Sequence, residues 1–165
     1  MSDFSPDLIG RGICADEKTV ITGTFNVMHF NSKFELLDVR KEHNLVVNTG
    51  KEHTAKLMAG VVDTPFNFIQ IGRSSEPATI EDTHLLSHYM EMPASASYGE
   101  EYKALFEALF TIPDGVESVI LSEAGVFSGT YGSVPEPIML CRGIFGAMDA
   151  TAGDFILVRW RDTIG

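Results

Sequence analysis

Apolar residues in this chain recur mostly at every second position, in runs of strand length bounded by Gly, Pro, Asn and Asp. "TVITGTFNVMHF" (19–30) is rich in β-branched and aromatic residues and places Val20, Thr22, Thr24, Asn26, Met28 and Phe30 on one face. Ile21, Phe25, Val27 and His29 occupy the other, so this strand is either covered on both sides or only weakly alternating. "KFELLDVR" (33–40) and "HNLVVN" (43–48) read as further strands around a polar break. "FNFIQIG" alternates Phe66, Phe68 and Gln70 against Asn67, Ile69 and Ile71, and the polar loop "RSSEPATIEDT" follows. The last third holds three more strands, "SVILSEAGVFSG", "PIMLCRGIFG" and "DFILVRWRDTIG". In the final one Ile156, Val158, Trp160 and Ile164 point one way, and Phe155, Leu157, Arg159, Arg161 and Thr163 the other.

The clearest helical stretch is "NTGKEHTAKLMAGV", with Asn48 or Thr49 as its cap and Gly60 at its C-terminal stop. Thr54, Leu57 and Met58 form its narrow inward stripe. "YKALFEALFTI" (102–112) fits a helix through Tyr102, Leu105, Phe106, Leu109 and Phe110, and a strand through Tyr102, Ala104, Phe106, Ala108, Phe110 and Ile112; periodicity does not choose. The pattern predicts a mainly β protein: an antiparallel β-sandwich or jelly-roll-like domain over 18–165 with one short helix, preceded by an extended arm over 1–17.

A chain of 165 residues, 44% hydrophobic, is long enough to close one core and short for two. Its 23 acids against 12 Lys and Arg give a formal charge of −11, spread along the chain. That distribution argues against binding a phosphate backbone, which needs clustered cations. It suits a soluble surface or a basic partner. Cys14 and Cys141 are too few for a disulfide framework and read as free thiols of a reducing compartment. The first residues lack a basic start and apolar run, and no stretch approaches the ~18 apolar residues of a membrane span, so the expectation is synthesis and maturation in the cytoplasm.

Candidate chemistry is sparse. His84 and His88 in "EDTHLLSHYMEM" are four apart, which on a helix brings them to about 6 Å; on a strand they lie roughly 13 Å apart. The β-prone "HYMEM" tail favours the strand, and Glu81, Asp82 and Glu91 form no HExxH-like pattern, so a zinc-dependent hydrolase is the third reading. Glu123, inside the apolar run "LSEAGVF", is either a general acid or a carboxylate held by backbone amides, and the second role is the ordinary one. The glycines of "GTYGS" and "IGRSSEP" lack the GxxxxGK[ST] continuation of a phosphate loop, and GxSxG is absent. No cofactor is implied. Tyr98, Tyr102 and Tyr131 in loops are candidates for stacking on a host-surface glycan, or for a protein interface.

Taken in order, "NLVVNTGKEHTAKLMAG", "FNFIQIGRSSEPATIEDTHL", "VILSEAGVFSG", "IMLCRGIFG" and "DFILVRW" resemble a recurrent kind of tailed-bacteriophage structural protein. The resemblance spans roughly residues 44 to 162. It implies a virion component without enzymatic activity, a capsid decoration or cement protein or a neck or tail-collar element, made in the host cytoplasm and carried on the particle. It also implies that Glu123, Gly125 and Trp160 are structural and that "ALFEALF" is a strand. Arg73 and Ser74 stand where such proteins more often have a small Gly/Thr stretch, and His84 and His88 fall outside the shared pattern. The partners implied are other copies of the chain and other virion proteins, with neither nucleic acid nor membrane; free sheet edges and an arm suit a homo-oligomer.

Overall fold

The computed structural model describes residues 20–165; the expected arm over 1–17, with Cys14, lies outside the described residues. The chain runs β1 (Ile21–Phe30), β2 (Leu36–Val46), α1 (Asn48–Met58), β3 (Phe68–Gly72), β4 (His88–Pro93), β5 (Ser95–Gly99), β6 (Lys103–Thr111), β7 (Val119–Phe127), β8 (Met139–Ala150) and β9 (Phe155–Ile164). Every neighbouring pair is antiparallel, in the order β4-β3-β7-β8-β2-β1-β9-β6-β5. The protein is mainly β, as the alternation predicts.

Two corners fold this sheet over itself. β2 pairs with β1 up to Asn44 and then crosses, so that Leu45 and Val46 pair with β8. β4 and β5 stand at opposite ends of the strand order, yet only Ala94 separates them, so one extended stretch borders both ends of a nearly closed sheet. A first layer, β5-β6-β9-β1-β2, thereby faces a second, β4-β3-β7-β8. The core between them draws Phe25 and Val27 from β1, Phe106 and Phe110 from β6, and Val158 and Trp160 from β9. The second layer answers with Ile69, Ile71, Val126 and Phe145. Trp160 stacks on Phe25 at 4.3 Å, with Phe145 edge-on to the same ring at 6.3 Å, the offset and edge geometries aromatic quadrupoles favour.

The stretch 102–112 is strand β6, because Phe106, Ala108 and Phe110 alternate into the core while β9 and β5 pair with its two edges. In β1, Phe25, Val27 and His29 point inward and Thr24, Asn26, Met28 and Phe30 outward, so the strand is covered on one side only. His29 Nε2 lies 2.8 Å from Asp154 Oδ2. Burial pushes the Asp154 carboxyl up, but hydrogen bonds from the Thr151 amide and from His29 outweigh it and hold the group below its ordinary value.

α1 forms where expected but is docked differently. Val47 takes the N-cap position in extended conformation and makes no side-chain cap. Asn48 and Thr49 sit inside the helix instead, donating to Glu81 Oε1 and to the Met139 carbonyl. The buried residues are Gly50 and His53, not Met58, which is 82% exposed. His53 Nε2 meets the Thr64 carbonyl at 2.7 Å, and its ring lies edge-on to Phe66. The reason is steric: the helix touches β8 backbone to backbone at Gly50, where a Cβ would sit 2.3 Å from the Leu140 carbonyl oxygen. Gly50→Ala therefore decides between two effects of opposite sign. Helix propensity alone gains ~1 kcal/mol, whereas the clash costs about 1–3 kcal/mol; a lower urea midpoint for the variant is the expected result.

Candidate functional site

The buried ionic centre of the molecule lies on the outer side of the second layer. Glu123 of β7 and Arg142 of β8 are both fully removed from solvent, with Arg142 Nε 2.9 Å from Glu123 Oε2. An ion pair so deeply buried needs its remaining lone pairs and protons satisfied, and each of the three guanidinium nitrogens and both carboxylate oxygens has a partner. Glu123 accepts from the backbone amides of Ser74, Leu86 and Ser87. Arg142 donates to Asp82 Oδ2 at 2.9 Å and to the carbonyls of Glu76 and Pro77. Burial raises the Asp82 carboxyl, but hydrogen bonds from Thr79 and Arg142 prevail and leave it below its usual value.

All these partners belong to the connection 73–87, so the pair pins that loop over the sheet. Gly125, across the ladder from Arg142, belongs to the same construction: a Cβ there would meet the Cys141 carbonyl and Phe127 at 2.9 Å and Leu85 at 3.3 Å. Beneath the loop, Leu85 packs with Val47, Phe127 and Met139 into a second small core against Phe68. Loop and helix join where the Asn48 amide donates to the Ile80 carbonyl. The second layer is thus covered on both faces, and β7 is buried along almost its whole length. With its oxygens given over to backbone amides and a guanidinium, Glu123 acts here as a loop anchor.

His84 and His88 do not share a helix face. Residues 81–87 form turns, and His88 is the first residue of β4. His84 is exposed, its Nδ1 against Thr83 Oγ1, while the His88 ring stacks on Tyr131 at 3.8 Å. Burial holds the His88 pKa below the ordinary value, against the opposing charges of Glu91 and Glu123. Among the described residues, no three His, Cys, Asp or Glu side chains converge as a metal site. The tyrosines divide as well. Tyr131 belongs with His88 and Glu91, whose carboxylate accepts from the Tyr131 amide. Tyr98 and Tyr102 instead flank a mostly apolar cleft of about 530 Å³ beside Phe106 and Ile164. Glu101 and Tyr102 both take left-handed backbone conformations in the β5–β6 turn, sites that ordinarily fall to Asn or Gly.

Unlike the second layer, the first has nothing over its outer face among the described residues. Strand register lays apolar side chains there in rows: Val39, Met28, Leu157 and Leu109 in one, Leu36, Phe30 and Phe155 in the next. Phe34, at the β1–β2 turn, lies stacked on Phe155 at 4.1 Å and is still 58% exposed. Leu36, Leu37, Val39 and Leu109 are also exposed. Towards the other end of the same strands the face turns cationic: Lys41, Arg159 and Arg161 line a cleft of about 490 Å³ with Glu107 as its acid. The outer face thus carries an apolar band at one end and a cationic one at the other.

The alternation of β1 and β9 showed which residues share this face, but not that Phe34 joins them; an apolar residue within "NSKFE", a turn otherwise polar, was its only signal. Arg142 likewise stood in view, in the middle of the apolar run "IMLCRG", the same anomaly that singled out Glu123. No protein-family model, characterised protein or solved structure matches this chain.

Two outcomes follow for the buried charges. Glu123→Ala or Arg142→Met each leaves a buried charge short of partners and is expected to cost about 3–5 kcal/mol; Glu123→Ala/Arg142→Met together should cost less than the sum, read as a double-mutant cycle in urea. Asp162 titrates against the fold. Burial pushes its carboxyl up to about 6, against hydrogen bonds from Asn44 and Cys141. Since the folded state holds this proton more tightly than the unfolded chain, the group's contribution falls as pH rises from its ordinary value near 3.8 to about 6. Asp162→Asn should therefore stabilise by about 2–3 kcal/mol above pH ~6 and by little below pH ~4, measured as urea midpoints across that range.

Proposed function

We propose that this chain is a non-enzymatic structural subunit of a tailed-phage particle, seated there as a capsid decoration or cement protein or as a neck or tail-collar component. It works alongside other copies of itself and other virion proteins. The observation that carries the assembly role is the uncovered apolar face of the first layer. Among the described residues the second layer is sealed on both sides with a helix and a pinned loop, while the first stays exposed, as in a subunit that completes its burial in an assembly. The placement in a phage particle rests on the succession of "VVNTG", "EAGVF" and the closing Trp160 strand described above. Mass spectrometry of purified particles should find the chain at stoichiometric level, and its absence from particles sinks the assignment. Stained-gel intensity against the major capsid protein then separates a decoration role, in hundreds of copies, from a collar role in about a dozen.

A second reading, a module that binds host-surface glycans, is favoured by the Tyr98–Tyr102 cleft and the two left-handed residues that shape it. Sugar rings stack on exposed aromatic faces of this kind. Glycan-array binding by the wild type, lost in Tyr98→Ala and Tyr102→Ala, is the expected result; no binding by the wild type removes this reading.

A further inference from the structure

We propose that the apolar half of the first layer's outer face is a self-association surface, closed by a second copy of this chain about a two-fold axis, with Phe34 at its centre. This deepens the assembly reading by naming a partner and the residues that meet it.

The first support is the backbone of Phe34. It holds φ +62°, a left-handed conformation that favours glycine or asparagine. The turn is imposed by Asn31, whose side-chain carbonyl accepts from the Lys33 and Glu35 amides while its backbone carbonyl accepts from Phe34. A phenylalanine at such a position is strained, and what it achieves is a ring laid over Phe155 on the open face. Strain that serves no packing in the monomer's own core points to a contact outside it.

The second support is area. Phe34, Leu36, Leu37, Val39 and Leu109 are exposed, and Met28, Phe30, Phe155 and Leu157 are half-buried beside them. With ~150–200 Å² for each large side chain, about half of it open in the five exposed residues and roughly a fifth in the four beside them, the patch presents on the order of 500 Å² of apolar surface. A polar rim brings this near the ~800 Å² per partner of a standard interface.

The third is charge. Lys41, His43, Arg159 and Arg161 sit on the other half of the same face, against Glu107 alone among the acids of their rows. Stacking basic half on basic half is repulsive, so the axis runs across the strands near the Met28–Leu157 row. Apolar half then covers apolar half, and the two cationic ends project on opposite flanks.

Sedimentation equilibrium of the full chain provides the test. The wild type is expected to be a dimer that persists in high salt. Phe34→Gly should relieve the backbone while removing the ring, so its Tm stays level or rises while the dimer dissociates at least tenfold more readily. Val39→Lys, at an exposed position, should do the same through charge. A monomeric wild type, a dimer that both variants preserve, or one that salt dissolves overturns the proposal. A monomer in solution that is nonetheless found in particles rejects this surface alone; a dimer absent from particles rejects the phage assignment alone.

Discussion

The Arg142 guanidinium has no access to water, and much of the architecture answers that one constraint. A buried cation must find a full set of acceptors within reach. Glu123 supplies the charge from the neighbouring strand; Asp82 and the Glu76 and Pro77 carbonyls supply the rest from the loop above. Glu123 in turn draws in three amides of the same loop. The loop is therefore held by its backbone, and its sequence is free to be as polar as "RSSEPATIEDT".

Pinning that loop gives the two layers different fates. Leu85 is carried down onto Phe127 and Met139, α1 joins through Ile80, and the outer face of the second layer becomes interior. Among the described residues the first layer receives no such cover. Its outer face keeps the rows set by the register of β2, β1, β9 and β6, apolar at one end and cationic at the other. The two layers of one sheet thus differ in what they present outward: one is buried on both faces, the other on its inner face alone among the described residues.

The closure of the sheet follows from the same economy of connections. With β4 and β5 joined through Ala94, one extended stretch serves both ends of the strand order, and the Ala94 amide donates to the Asn67 carbonyl at the crossing. Among the described residues β5 keeps one side without a strand, next to the cleft framed by Tyr98 and Tyr102.

The sequence by itself determined the strand-rich class, which residues of β1 and of β9 share a face, the position of the helix, and the anomaly of a carboxylate at Glu123. These are local properties, because side chains alternate along an extended chain wherever it is placed. The tertiary structure decided between helix and strand for β6, since the mixed periodicity of the eleven residues 102–112 is resolved only by what pairs with their edges. It decided that Gly50 and His53, not Met58, face the sheet, because contact with Leu140 sets the helix rotation. It decided too that Glu123 meets Arg142, nineteen positions away, that Tyr131 stands apart from Tyr98 and Tyr102, and that one face of the sandwich is left open by the described residues. Each of these depends on which strands become neighbours, and long-range pairing leaves no trace in the local order of residues.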